Sequence, residues 1–229
     1  MSLHVGMLLF EDFTQLDLTG PYEVFGKFTD TSIHLIAASG APVKSAYGAR
    51  LQIVPTCTFD ECPRLDVLFV PEGPGIFNAM DDPRCLDLLR QQGASARFVT
   101  SVCTGSLILG AAGLLTDYRA TTHWQSLELL PIVGAIPVAE RVVVDRNRVT
   151  GAGVTSGIDF ALVLATLLFG ESTSKQIQLA LEYDPAPPFD SGSPRSADTN
   201  LVATLNARFA PTLADRRARL QALVDRSRS

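Results

Sequence analysis

Short, nearly continuous apolar runs recur along the chain, separated by turns and by segments with helical periodicity. Such runs are typical of parallel strands that are buried on both faces of a sheet. Strands are predicted at residues 3–10, 33–38, 66–71, 98–102, 119–122, 138–144 and 148–150. Residues 42–58 alternate loosely around a turn at Tyr47-Gly48 and predict a hairpin.

Helical patterns follow most of these strands. Helices are predicted from near Pro21 and at 83–92, 106–115, 157–169 (capped by Thr155-Ser156), 175–182 and 200–224, with a possible break at Pro211. This alternation predicts a doubly wound α/β fold with a mostly parallel sheet and helices on both faces. A loop rich in Pro, Ser and Gly follows residue 183, so we assign 1–195 to the α/β domain and 196–229 to a helical extension packed on it.

Composition supports one well-packed domain. Of the 229 residues, 46% are hydrophobic and 19% charged, which excludes a disordered chain. A net charge of -5 disfavours non-specific binding to nucleic acid or anionic membranes. No apolar run approaches the roughly 20 residues of a bilayer span, and no secretory signal is recognisable. Four scattered cysteines without zinc spacing (Cys57, Cys62, Cys85 and Cys103) suggest a reduced, cytoplasmic protein.

The strongest local signal for chemistry surrounds Cys103. A predicted buried strand runs into Cys103-Thr104-Gly105, and a helical pattern follows, which is the arrangement of a nucleophile elbow. Such a turn presents its side chain at the carboxyl edge of the sheet, where ligands bind in open α/β folds. The start of the following helix favours thiolate over thiol. The backbone N–H groups of Thr104 and of Gly73, in the loop after another strand, are candidate donors to developing negative charge.

Two further residues are candidates for proton transfer. Asp17 follows the first predicted strand among apolar neighbours, where a raised pKa suits a general acid or base. An equally open alternative is that Asp17 caps the helix starting near Pro21. His123 is a possible partner for a cysteine nucleophile, but a structural or pocket-lining role is favoured because Asp17 can serve the proton transfers. The arginines of the C-terminal segment alternate with Asp215 and Asp225 and indicate a solvated helix face.

Several of these segments resemble one known family. Cys103-Thr104-Gly105-Ser106, Pro71-x-Gly73-x-Gly75, LDLTGP at 16–21 and ATTHW at 120–124 are similar to motifs of the PfpI and parkinsonism-associated deglycase superfamily. GAGVTSGIDF at 151–160 is a further matching stretch. Within that superfamily, LEYDPAPPF at 181–189 and the aspartate at position 17 most resemble the isocyanide hydratases.

The resemblance implies a flavodoxin-like sandwich that forms a homodimer. It implies the conversion of a small apolar isocyanide and water to an N-substituted formamide, with no metal or organic cofactor. Cys103 would be the nucleophile that attacks the terminal isocyanide carbon. Asp17 would act first as general acid and then as base, and Thr104 would support the site beside the nucleophile.

Two departures and two alternatives accompany this resemblance. Ala152 stands where glycine is expected before the helix at Thr155. Glu72 stands where the family usually has glycine, so it changes the charge and shape of the pocket if it points inward and changes nothing if it points outward. A glyoxalase or deglycase-type cysteine enzyme is one alternative function. A non-catalytic redox sensor, based on an exposed cysteine of low pKa, is the other. A DNA-binding regulator is disfavoured because residues 190–229 are too few for the two helix-turn-helix units of such relatives.

Overall fold

A mostly parallel sheet forms the centre of the computed structural model, which describes residues 2–47 and 51–228. The strands are β1 Leu3–Leu8, β2 Thr31–Ala37, β3 Val43–Lys44, β4 Gln52–Ile53, β5 Cys57–Thr58, β6 Val67–Val70, β7 Phe98–Val102, β8 Arg119–Ala120, β9 Ile136–Pro137, β10 Val142–Asp145 and β11 Arg148–Gly151. Seven of them form the main sheet in the order β10-β11-β7-β6-β1-β2-β5. All neighbours in it are parallel except the pair β10 and β11.

Helices surround this sheet, which confirms the predicted α/β class. The helices are α1 Gln15–Phe25, α2 Ile76–Asp81, α3 Pro83–Gly93, α4 Gly105–Ala111, a 3₁₀ helix Trp124–Val133, α5 Ser156–Phe169, α6 Glu171–Ala180 and α7 Thr199–Arg228. The 3₁₀ helix was not predicted. Helix α4 ends before the predicted position, and Gly113 just beyond it adopts a φ of 79°. No described helix combines the length and apolar character needed to cross a membrane.

The predicted hairpin lies apart from the main sheet. Strands β3 and β4 pair antiparallel in a small sheet of their own, and the Gly48 half of their predicted turn falls outside the described residues. The end of the same segment behaves differently, because β5 adds to the main sheet parallel to β2. The loose alternation of residues 42–58 therefore covers two separate pieces of structure.

Helix α1 begins at Gln15, six residues before the predicted start at Pro21. Asp17 consequently lies inside its first turn and is fully buried, so the interpretation of Asp17 as a cap for a helix starting near Pro21 is wrong. Pro21 lies within the helix although it cannot donate a hydrogen bond to the carbonyl of Asp17. Packing offsets this loss, because α1 lies closely against α5, where Gly157 leaves space for the ring of Pro21.

Helix α7 is continuous through Pro211, so the predicted break is wrong. An interior proline costs a helix about 3 kcal/mol. Helix α7 packs against the 3₁₀ helix and α4, and it buries Leu220 and Leu223. Burying a leucine side chain contributes about 1.5–3 kcal/mol, so these two contacts are enough to offset the proline.

Aromatic packing holds the sheet to the helices beneath the site. The rings of Phe25 on α1, Phe69 on β6 and Phe160 on α5 contact one another, with centroids 5.6–6.3 Å apart. Strands β1, β6 and β7 are adjacent and parallel, so their carboxyl ends meet at one edge of the sheet. The segments that follow these three strands carry the candidate catalytic side chains.

Candidate active site

Three buried groups meet at the carboxyl edge of the sheet. Asp17 follows β1, Glu72 follows β6 and Cys103 follows β7. One carboxylate oxygen of each acid and the sulfur of Cys103 all lie within 4.8 Å of one another. The structure therefore brings together the two predicted residues, Asp17 and Cys103, and it shows that Glu72 points into the site.

Cys103 occupies a strained turn, as expected of a nucleophile elbow. Its φ of 56° lies in the left-handed region that residues with a Cβ rarely adopt. Hydrogen bonds hold the turn: its N–H donates to the carbonyl of Gly151 (3.0 Å), and its carbonyl accepts from the hydroxyl of Thr122 (2.9 Å). Gly105 is required at the next step, because a Cβ there would overlap the carbonyl oxygen of Val70 on β6.

The loop after β6 is fixed to the start of α1. A Cβ at Gly73 would overlap the carbonyl oxygen of Asp12, so only glycine allows this approach of the two backbones. The N–H of Thr14 donates to the carbonyl of Glu72 at 2.7 Å. The hydroxyl of Thr14 donates to Oε2 of Glu72 at 3.0 Å. These contacts hold the Glu72 side chain beside Asp17. The role of Gly73 as an N–H donor to developing negative charge stays a prediction.

Asp17 is suited to release a proton. Its carboxyl is buried, and the side chain of Glu72 lies within hydrogen-bonding reach of it. Burial, and secondarily the nearby Glu72 carboxyl, raise its pKa to about 8. Asp17 therefore holds a proton at neutral pH, which is the state required of a general acid.

Cys103 is buried, with 2% of its surface exposed, and its pKa lies well above the usual value. Burial is the main cause, followed by the carboxyls of Glu72 and Asp17. A hydrogen bond from the Thr104 N–H and the charge of Arg216 oppose them. The expected thiolate is thus wrong for the free protein, because the seven-residue helix α4 does not outweigh burial. The exposed, low-pKa cysteine on which the redox-sensor alternative depends is also absent at Cys103.

Two residues of the site were missed in the sequence, Thr14 and Arg216. Arg216 lies on α7, and its Nη2 approaches Oε1 of Glu72 at 3.7 Å. Its Nη1 donates to the hydroxyl of Ser126 at 3.2 Å. Only 12% of the Arg216 side chain is exposed, so the interpretation as a solvated helix face is wrong for this arginine. Its spacing from Leu213 and Leu220, which places all three on one side of the helix, is the signal that was available.

His123 stands apart from the three buried groups. Its Nδ1 accepts from the N–H of Gln125 (3.4 Å) and caps the 3₁₀ helix. Burial lowers its pKa, Glu72 acts in the opposite direction, and Arg216 lowers it further. The imidazole is therefore neutral at neutral pH. Thr104 is fully buried at the start of α4, and its hydroxyl has no partner among the described residues.

A cavity of about 390 Å³ lies next to Thr122 and His123 beside the elbow, but Asp17, Glu72 and Cys103 do not line it. Its wall includes His123 and Thr122, whose hydroxyl binds the Cys103 carbonyl. Most of the remaining wall is apolar, with Trp124, Leu127 and Val154 among its side chains. This size and character suit a small organic molecule.

Asp17, Glu72 and Cys103 lie close enough together to face one ion, but the raised pKa values of Asp17 and Cys103 keep both groups protonated, and metal ligands must be deprotonated. The expectation that no metal takes part stays a prediction.

Together, the fold and the site define an α/β protein that carries a cysteine at a nucleophile elbow. Two acids, Glu72 and Asp17, lie beside this cysteine in the segments that follow the next two strands of the sheet. The chain belongs to the DJ-1/PfpI family, whose model matches residues 4–167.

Three known proteins are similar to this chain over most of its length. It is 55% identical over 213 residues to the isonitrile hydratase of Pseudomonas putida, covering 93% of this chain and 92% of that protein. It is 29% identical over 188 residues to the HTH-type transcriptional regulator GbdR of Pseudomonas aeruginosa, covering 79% of this chain and 50% of the regulator. The crystal structure of a THiJ/PfpI family protein from Pseudomonas syringae superposes with a TM-score of 0.90 at 43% identity, covering 98% and 91% of the two chains.

Proposed function

We propose that this protein is an isocyanide hydratase, which adds water to an isocyanide and releases an N-substituted formamide. Isonitrile is a second name for the isocyanide group, so the 55% identity to an isonitrile hydratase over 93% of the chain carries this proposal. The site supports it, because a cysteine and a protonated acid lie side by side at the sheet edge.

The first step forms a covalent intermediate. A base removes the proton from the Cys103 thiol, the sulfur attacks the terminal carbon of the isocyanide, and Asp17 delivers its proton to the same carbon. One C–S bond and one C–H bond form, leaving a thioimidate on Cys103 and a carboxylate on Asp17. The Thr104 N–H, which donates toward the sulfur, holds the nucleophile in place.

The second step consumes this intermediate. The Asp17 carboxylate takes a proton from water as the water oxygen attacks the thioimidate carbon, and the base protonated in the first step gives its proton to the substrate nitrogen. The C–S bond then breaks, the hydroxyl proton of the adduct passes to the sulfur, the formamide leaves, and the sulfur and Asp17 return to their starting states. One carboxyl thus alternates between acid and base, as a covalent pathway of this kind requires.

The cavity beside the elbow is the proposed site for the substituent of the isocyanide. An isocyanide offers little to hydrogen-bond, so binding depends on its apolar substituent. Trp124, Leu127 and Val154 provide apolar contacts at the wall of the cavity. No metal or organic cofactor enters the proposed sequence of bonds.

A simple aromatic isocyanide tests the function directly. The purified protein is expected to produce the formamide, with kcat/KM constant below pH 8 and falling about tenfold per pH unit above it. The reason is that Asp17, with a pKa of about 8, loses the proton that it must deliver. Chromatographic quantification of the formamide across pH 6–10 provides the measurement. Absence of turnover, or faster turnover of methylglyoxal, would contradict the proposal and favour the glyoxalase alternative.

The protein is further proposed to be a homodimer. Helix α1, which carries Asp17, exposes two large apolar side chains, Leu16 and Tyr22, each to 39%. Such side chains beside a functional site suit a protein interface. Light scattering at working concentration is expected to give a mass near twice the 24.6 kDa of one chain. A monomer at that concentration would contradict the expectation.

A further inference from the structure

The proposed first step requires a base that accepts the proton of the Cys103 thiol. Cys103 is buried as a thiol, and its proton must leave before the sulfur can attack. Asp17 cannot accept that proton in the same step, because it already holds the one that it delivers to the isocyanide carbon. The reaction therefore needs a second base beside the sulfur.

Glu72 is placed to be that base. A carboxylate oxygen of Glu72 lies within 4.8 Å of the Cys103 sulfur, and the whole residue is buried. Its Oε2 is fixed by the Thr14 hydroxyl at 3.0 Å, and its Oε1 faces the guanidinium of Arg216 at 3.7 Å. Catalytic hydrogen bonds are often long before substrate binds, so a small approach of the two groups completes the contact.

Arg216 supplies the charge that a buried carboxylate needs. An ionised carboxyl removed from water is costly unless an opposite charge or hydrogen bonds compensate it. Arg216 is itself held by Ser126, and its guanidinium lies over the ring of Phe209 at 5.4 Å. Helix α7 thus places a positive charge beside Glu72, although Arg216 and Glu72 are far apart in the sequence.

We infer that Glu72 is the base that removes the proton from the Cys103 thiol, and that Arg216 of α7 is the positioning residue that holds the Glu72 carboxylate beside it. The inference rests on the proposed function for the reaction that it completes.

The protons balance over the cycle. Glu72 takes the thiol proton while the sulfur bonds to carbon and Asp17 protonates that carbon, so Glu72 ends protonated and Asp17 ionised. In the second step Asp17 takes a proton from water, and Glu72 returns its proton to the substrate nitrogen. As the C–S bond breaks, the hydroxyl proton of the adduct passes to the sulfur, and every group regains its starting state.

Removing the base tests the inference in turnover. Glu72→Gln is expected to lower kcat by about 10²- to 10⁴-fold, the usual contribution of a positioned base, with KM changed less than threefold. Glu72→Asp keeps a carboxylate and is expected to recover at least tenfold of that loss. A kcat for Glu72→Gln within threefold of wild type would overturn the inference.

Comparing alkylation of Cys103 with turnover distinguishes a base from a charge that only repels the thiolate. Glu72 raises the pKa of Cys103, so Glu72→Gln makes the thiol more acidic, and iodoacetamide is expected to react faster at pH 7. If Glu72 only repelled the thiolate, kcat would rise as well. Because Glu72 accepts the thiol proton during attack, kcat is expected to fall although alkylation, measured on Cys103 by peptide mass spectrometry, is not slowed. A kcat that rises together with the alkylation rate would overturn the inference, whereas failure of wild-type turnover would instead overturn the proposed function.

Arg216 has a matched control one residue away. Arg217 on the same helix pairs with Glu128 at 2.6 Å, but both partners are about half exposed and lie outside the site. Arg216→Met is expected to lower kcat at least tenfold and Arg216→Lys to restore it to within threefold. Arg217→Met should leave kcat unchanged. Equal effects of Arg216→Met and Arg217→Met would show that α7 only stabilises the fold, and this would overturn the role of Arg216. This comparison stands even if Glu72→Gln does not fold.

Discussion

Replacing Cys103 with alanine is expected to abolish isocyanide hydration, with kcat falling at least about 10⁴-fold. The reason is that the proposed reaction proceeds through a bond to the Cys103 sulfur, and no other described thiol lies in the site. Formamide production with a simple aromatic isocyanide measures the loss. Intact-mass spectrometry of the wild type, quenched during turnover, is expected to show an increase equal to the mass of one isocyanide, and this increase should be missing in Cys103→Ala.

Cys85 provides the control for this experiment. Like Cys103, it is 2% exposed, but it lies on α3 away from the three buried groups. Cys85→Ala is expected to lower stability slightly and to leave kcat unchanged. Substantial formamide production by Cys103→Ala, or an equal loss in Cys85→Ala, would contradict a nucleophilic role for Cys103.

The nucleophile could be predicted because its signal is local. The apolar strand 98–102, the cysteine and the glycine at 105 follow one another closely in the sequence. In the structure the strand is largely buried, and glycine is required at 105 because a Cβ there would overlap the carbonyl oxygen of Val70. Asp17 was predicted by its position after a strand, since parallel strands bring their carboxyl ends together. Its helical surroundings were not predicted, because Pro21 suggested a helix start and only packing against α5 allows it inside α1.

The remainder of the site depends on contacts that no local pattern encodes. Glu72 was recognised as unusual, but its direction is set by Thr14, 58 residues earlier in the chain. Arg216 and its neighbour Arg217 differ in burial, because one faces the domain and the other faces solvent. The spacing of Arg216 from Leu213 and Leu220 indicates the side of the helix on which it lies, but only the docking of α7 on the 3₁₀ helix and α4 brings that side to the site.

The site combines groups that the fold would be more stable without. Two carboxyls and a thiol are buried within 4.8 Å of one another, and the backbone of the cysteine is in a strained conformation. One guanidinium and one hydroxyl compensate Glu72, but neither contacts Asp17 through a hydrogen bond. Activity and stability should therefore respond in opposite directions when Asp17 is changed.

Asp17→Asn is expected to lower kcat about 10²- to 10⁴-fold, because an amide can neither deliver a proton to the isocyanide carbon nor accept one from water. The same change is expected to stabilise the protein at neutral and alkaline pH. The folded chain keeps the Asp17 proton up to a pKa of about 8, whereas the unfolded chain loses it near the ordinary value of 3.8. Between these values the folded state binds more protons, so its stability falls as pH rises.

The size of this effect follows from the pKa shift. Each pH unit in the window between about 4 and 8 costs about 1.4 kcal/mol, which gives up to about 4 kcal/mol at pH 7. Thermal unfolding should therefore give a higher Tm for Asp17→Asn than for wild type at pH 8, with a difference on the order of 10 °C that shrinks toward pH 4. Asp190→Asn, in the exposed loop before α7, should show no such pH-dependent difference. A Tm for Asp17→Asn below that of wild type at pH 8 would mean that Asp17 is ionised and compensated in the folded protein. The role of Asp17 as the initial proton donor would then fail together with the stability argument, because both require the same buried proton.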